Sequence, residues 1–196
     1  MDTGTQKSIA KFVIDKTGSR FNVQVFSTGL LSSFGHNPTI AIRDYDGEIE
    51  ISLDTFENAQ VRMNVRTKLM EVMDRMKSED RKKLEDEMYA NVLSVDRFPT
   101  ASFESTEVSI QRIGGELLIA HVVGELSFHG VQRIQLIDAR VTRMATMLRI
   151  SGQFTLRQTD FGIKPISFAG GTLKLKYELK FNFELVARGQ EQPDKS

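Results

Sequence analysis

Residues 172–186 read TLKLKYELKFNFELV. Leu173, Leu175, Tyr177, Leu179, Phe181, Phe183 and Leu185 alternate with Thr172, Lys174, Lys176, Glu178, Lys180, Asn182 and Glu184. A period of two held this long demands a β-strand with one dry and one wet face, and excludes an amphipathic helix. At about 3.3 Å per residue it spans roughly 45 Å, long for a globular protein. The same alternation returns in RFNVQVF (Phe21, Val23, Val25), TIAIR (Ile40, Ile42), EIEISL (Ile49, Ile51, Leu53) and QVRMNVR (Val61, Met63, Val65). After residue 100 it continues in ASFESTEVSI, ELLIAHVVGELSF, RIQLIDARV and TMLRISGQFTL. Asp46-Gly47 and Gly114-Gly115 read as hairpin tips.

Many strands on short turns predict a mainly β chain, an antiparallel barrel or sandwich, of which the barrel is the physical reading. The exception is residues 67–93, a helical insertion. There Leu84, Met88 and Val92 form a stripe, with Ser78 as a cap and Leu69, Met73 and Met76 as an earlier helical turn. One domain over 1–196 is expected, with the barrel over about 10–187 and a disordered tail over 188–196. The apolar inner face leaves two readings open, a core filled by its own side chains or a tunnel for an elongated apolar ligand.

Composition narrows the chemistry. The 26 basic and 26 acidic residues cancel, so no basic excess draws the chain to nucleic acid. Cysteine is absent, which removes disulfides and thiol chemistry. His36, His121 and His129 lack metal-ligand spacing, so neither a metal nor a cofactor is expected. No apolar run reaches membrane-span length, and the opening MDTGTQKSIAK lacks a signal-peptide core, so a soluble cytoplasmic protein is the expectation. The triplet Asp160-Phe161-Gly162 resembles a kinase magnesium motif. It has no glycine-rich loop, strand lysine or catalytic loop to serve. Gly162 is expected to make a turn, Pro165 to keep the chain extended, Phe161 to be an apolar plug and Asp160 a local hydrogen-bonding or capping group.

Several landmarks fall in a characteristic order: Phe12-Val-Ile-Asp15, Gly18-Ser-Arg-Phe21, Phe34-Gly-His-Asn-Pro38, Arg97-Phe-Pro99, Ala101-Ser-Phe-Glu-Ser105, Val123-Gly-Glu-Leu-Ser-Phe-His-Gly130 and Leu156-Arg-Gln-Thr-Asp-Phe-Gly-Ile163. This order resembles the YceI-like family of polyisoprenoid-binding, lipocalin-like barrels. Phe12 stands where a tryptophan is usual, Gly18 where a histidine is usual, and the charged helical segment is longer than the usual linker.

The resemblance implies an extended antiparallel, lipocalin-like barrel of about eight strands, with a hydrophobic tunnel that binds, stores or transports a long-chain isoprenoid or other lipid-like amphiphile without catalysis. It also implies a possible homodimer. The expected lining is Phe21, Val23, Val25, Ile40, Ile42, Ile49, Ile51, Val61, Met63, Tyr177, Leu179, Phe181 and Phe183. His36 and Arg157 are candidates for the tunnel mouth and a ligand head group. The alternatives are a His-dependent hydrolase in the barrel mouth, for which no nucleophile elbow is present, and a filled barrel that acts through protein contacts.

Overall fold

A computed structural model describes residues 9–28, 37–164, 167–168 and 173–190. In chain order its strands are β1 (Ile9–Ile14), β2 (Arg20–Thr28), β3 (Thr39–Ile42), β4 (Tyr45–Ser52), β5 (Gln60–Arg66) and β6 (Met70–Val72). The helix α1 (Ser78–Glu87) follows, and then β7 (Thr100–Gly114), β8 (Leu117–Phe128), β9 (Val131–Met144), β10 (Met147–Arg157), β11 (Ser167–Phe168) and β12 (Leu173–Gly189). Strands β1, β4, β5, β7, β8, β9, β10 and β12 pair antiparallel in that order, and β12 returns to β1 through Ala187–Ile14 and Gly189–Phe12, closing an eight-stranded barrel.

Strands β2, β3 and β6 continue this barrel rather than form a second sheet. Each extends the line of a ring strand after a short break at Asp15–Ser19, Arg43–Asp44 or Thr67–Leu69. The long β12 spans both levels, pairing with β2 from Lys174 to Glu184 and with β1 beyond it. The period-two run that dominated the sequence is therefore the stave to which both levels are fixed. It reaches Gly189, and Gln190 N–H still donates to the Lys11 carbonyl. The structure is thus ordered past the expected barrel limit, while residues 191–196 lie outside the described ones.

Ion pairs tie the level where the three staves break. Asp15 takes Arg188 Nε at 2.8 Å, Asp44 takes Lys16 at 3.0 Å and Arg66 at 2.7 Å, and Asp46 takes Arg66 at 2.6 Å. Side-chain hydrogen bonds from Thr17 and Arg188 hold the Asp15 carboxyl down at about 2. Lys16 and Arg66 lower Asp44, and Arg66 lowers Asp46.

Three local expectations are corrected. Residues 69–76 are not a helical turn: Met70–Val72 pair with β3, because Met70 and Val72 alternate inward around the exposed Glu71. Asp46-Gly47 is not a hairpin tip. Gly47 sits inside β4, where a Cβ would lie 2.5 Å from Met63 Sδ and 3.0 Å from Ile14, so the missing side chain serves packing. Ser78 does not cap α1; Lys77 holds the cap position and makes no side-chain capping bond. The helix ends in a π-helical turn over Met88–Val92, and its stripe does bury Met88. It lies along β6, where Val72 N–H donates to Glu85 at 2.9 Å and the Tyr89 hydroxyl to the Met70 carbonyl.

Candidate functional site: an apolar cavity in one half of the barrel

The inner face divides into two regions. Beneath α1 lies the packed half: Val23, Val25, Ile42, Met70, Met88, Leu93, Phe128, Leu156, Phe161, Ile163 and Leu179 are buried in the core, and none of them lines the cavity of the other half. The Asp160-Phe161-Gly162 triplet belongs here. Gly162 takes φ 71°, the left-handed conformation that ends the turn over Gln158–Phe161. Phe161 is 2 % exposed and rests on Phe128 at 5.5 Å. Asp160 is exposed and has no hydrogen-bond partner among the described residues, so the expected capping role is absent. Pro165 lies outside the described residues.

The other half is hollow. It holds a cavity of about 170 Å³ walled by strands β1, β2, β4, β5, β7, β8, β9, β10 and β12. Ile49, Ile51, Val61, Met63, Val65, Phe103, Ala120, Val122, Ile137, Ala139, Val141, Leu148, Ile150 and Leu185 supply most of the wall. Small residues help keep it open. A Cβ on Gly124 would lie 2.5 Å from the Phe103 ring, and one on Gly152 2.5 Å from the Phe183 ring. Each ring occupies space that a side chain on the neighbouring glycine would need. At the floor, toward the packed half, Phe21 meets Tyr45 edge-on at 5.8 Å, Phe183 at 6.5 Å and Phe181 at 6.1 Å, and Phe154 stacks on Phe181 at 4.7 Å.

At the opposite end the cavity is covered by the β4–β5 connection, which contributes Leu53, Phe56 and Ala59. Phe56 has φ 58°, a conformation that bulky side chains avoid. It is held by its N–H to the Ser52 carbonyl at 2.7 Å and by Arg112 stacked 5.8 Å from its ring. Beside it Arg143, which also reaches the cavity, bonds Glu116 at 2.6 Å and keeps that carboxyl below its ordinary range.

Of the lining expected from sequence, Phe21, Ile49, Ile51, Val61, Met63 and Phe183 stand in the cavity wall. Val23, Val25, Ile42 and Leu179 are buried in the packed half, with Ile40 and Phe181 packed against that core. Tyr177 is 60 % exposed. Its alternation fails because the β12–β2 register shifts between Leu175 and Leu179 and the paired stretch of β10 ends opposite Glu178. His36 lies outside the described residues. Arg157 is exposed at the end of β10, on the packed half and away from the cavity cover.

The remaining histidines are far apart in role. His121 bonds Asp138 at 2.7 Å on the outside, and His129, in the β8–β9 turn, bonds the Phe161 carbonyl at 3.1 Å and packs at a tilt against Phe98 at 4.3 Å. Among the described residues no group of three His, Cys, Asp or Glu side chains could hold a metal. No helix among them is long and apolar enough to cross a membrane. Sequence reasoning missed the wall from β7 to β10, although Val122, Ile137, Val141 and Ile150 sit on inward alternating positions that were legible.

Solved structures share this architecture at low sequence identity. BcnA of Burkholderia cenocepacia aligns with a TM-score of 0.68 at 14 % identity, over 88 % of this chain and 98 % of its own. A polyisoprenoid binding domain from Saccharophagus degradans, implicated in plant cell wall breakdown, aligns at 0.66 with 15 % identity, over 93 % and 100 %. The Campylobacter jejuni YCEI protein aligns at 0.57 with 14 % identity, over 78 % and 85 %. No curated protein matches the chain. The model of the YceI-like domain matches residues 12–187, almost the whole described barrel, and the chain therefore belongs to the YceI-like family.

Proposed function

We propose that this protein binds and carries, or stores, an isoprenoid or another long-chain amphiphile, with the apolar chain in the hollow half of the barrel. The observation that carries this reading is the cavity itself, lined mainly by aliphatic and aromatic side chains from nine strands. Removing an apolar chain from water there is worth about 25 cal/mol per Å². The reading needs no catalytic group.

The cavity volume sharpens the reading. At about 170 Å³ it is comparable to the ~150 Å³ apolar cavities that admit one small aromatic ring. It holds one segment of a long chain, and the rest of the ligand must lie outside or displace the aromatic floor. The test is to purify the protein from its own host, extract it with organic solvent and analyse the extract by mass spectrometry. A long-chain lipid in stoichiometric amount is expected. A lipid-free protein that also fails to bind a fluorescent polyene fatty acid overturns the reading.

A further inference from the structure

The barrel wall is incomplete between β9 and β10. Their ladder runs from Met147–Met144 to Gln153–Asp138 and stops. Beyond it, residues 131–137 of β9 pair only with β8, and residues 154–157 of β10 only with β12. The Leu136 carbonyl on this unpaired stretch is taken by the Gln135 side chain at 2.8 Å rather than by a neighbouring strand. The gap is bounded at its far end, where the turn after β10 meets the β8–β9 turn through Phe161 and His129. It is a window, and Gln135, Ile137 and Phe154 on its two sides all reach the cavity.

The outer surface around this window has an unusual composition. On β9, Ile134 is 58 % and Leu136 67 % exposed, and Met144 is exposed further along the same row. Arg140, Arg149 and Arg157 stand exposed on the two strands, and none has a hydrogen-bond or ion-pair partner among the described residues. By contrast Arg43, Arg62, Arg66 and Arg188 outside these two strands, and Arg143 of β9 on its cavity side, are all tied to carboxylates. Strand β10 carries no acidic residue, and the one acid of β9, Asp138, is engaged by His121. In a chain with formal net charge +0, this face holds three arginines without an ion pair among the described residues, beside exposed aliphatic side chains, with Glu178 of β12 the acid opposite Arg157.

We propose that the β9–β10 face docks on an anionic phospholipid surface and that the window is the portal through which an apolar chain passes sideways into the cavity. The portal rests on the carrier reading; the docking does not. Arginines at an anionic leaflet each add favourable electrostatic attraction, while Ile134, Leu136 and Met144 insert among the head groups. A sideways path lets the chain leave the bilayer without crossing water. It also leaves the part of the ligand that the cavity cannot hold outside the wall.

Docking is tested by sedimentation with vesicles of equal parts phosphatidylglycerol and phosphatidylcholine. The protein is expected to bind these, to bind pure phosphatidylcholine vesicles far less, and to release as salt is raised. The triple variant R140Q/R149Q/R157Q loses binding by roughly a hundredfold, while Arg75→Gln, on the α1 side, binds as before. Equal binding to both vesicle types, or an unaffected triple variant, overturns the docking. So does a protein that ignores vesicles but forms dimers that dissociate in I134D/L136D, since the face is then an interface between copies.

The portal is tested in the cysteine-free background with L136C/T155C, joined across the window by a short bis-maleimide. The joined protein exchanges a fluorescent polyene fatty acid at least tenfold more slowly than before joining. Arg75→Cys carrying a single maleimide adduct, away from the docking face, exchanges at the original rate and controls for labelling. Exchange unchanged by the cross-link overturns the portal alone. Failure of the unjoined and unsubstituted proteins to take up the probe overturns the carrier reading and the portal with it, and leaves the docking result standing.

Discussion

The two halves of the barrel are built from the same strands and the same alternation, yet one holds the cavity and the described core residues of the other do not line it. Long staves β7, β8, β10 and β12 run through both. The difference lies in what reaches the axis. In the packed half the interior is closed by Phe128, Phe161, Leu179 and Leu156, and by Met88 and Leu93 from the helical insertion. In the hollow half no insertion enters, and inward positions include Ala120, Ala139, Gly124 and Gly152. Barrel closure alone does not produce a binding cavity; side-chain volume at alternating positions and the placement of one insertion decide it.

This difference predicts the largest contrast in stability. Phe161→Ala removes a ring that is 2 % exposed from a region with nothing to collapse into its place, and is expected to cost about 3–5 kcal/mol. Ile137→Ala removes a side chain that already faces open space, and is expected to cost about 1–2 kcal/mol. Urea unfolding monitored by circular dichroism reads both. Equal losses would mean that the two halves are packed alike.

Enlarging side chains should reverse the order of tolerance. Val25→Phe in the packed half forces neighbours from their rotamers and is expected to cost about 1–3 kcal/mol. Ala120→Phe projects into the cavity and is expected to change stability by less than about 1 kcal/mol while abolishing uptake of the polyene fatty acid. If the Ala120 variant keeps full uptake, the chain does not occupy this cavity. Gly152→Ala strains both wall and cavity: its Cβ would lie 2.5 Å from the Phe183 ring and 2.5 Å from the Asp138 carbonyl of β9. A several-fold loss of probe affinity is expected together with a lower unfolding midpoint.

The ring architecture was legible because period-two alternation is a local signal that survives in each strand separately. RFNVQVF, QVRMNVR and FNFELV could each be placed without knowing their neighbours. Which half is hollow was not legible, because it depends on non-local encounters: Met88 and Leu93 arriving from an insertion, and Phe103 folding over Gly124 from the adjacent strand. Tyr177 shows the same limit, since nothing in YELKF marks the register shift that turns it outward. Strand β9 carried an ambiguous signal: in IQLIDARV both Ile134 and Leu136 on one face and Ile137 and Val141 on the other are apolar. The structure resolves it by turning Ile137 and Val141 to the cavity and leaving Ile134 and Leu136 exposed. An apolar residue on both faces was therefore the trace of a second surface.

The smallest expected effect concerns the belt where the halves join. Asp15, Asp44 and Asp46 all have lowered pKa values in the folded protein, Asp15 at about 2, against about 3.9 in an unfolded chain. A depressed carboxyl contributes stability that is fully present above the unfolded value and is lost as pH falls through the folded one. The belt's contribution is therefore expected to hold from neutrality down to about pH 4 and to decline between about pH 4 and pH 2. These carboxylates are near the surface, so solvent and salt screen the pairs and the decline is modest. Asp15→Asn, which keeps the shape but not the charge, should flatten that part of the acid profile and weaken the tie to Arg188 on β12. A thermal midpoint that falls just as steeply over this range in Asp15→Asn would place the acid sensitivity in other carboxylates and leave Asp15 no electrostatic part in joining the halves.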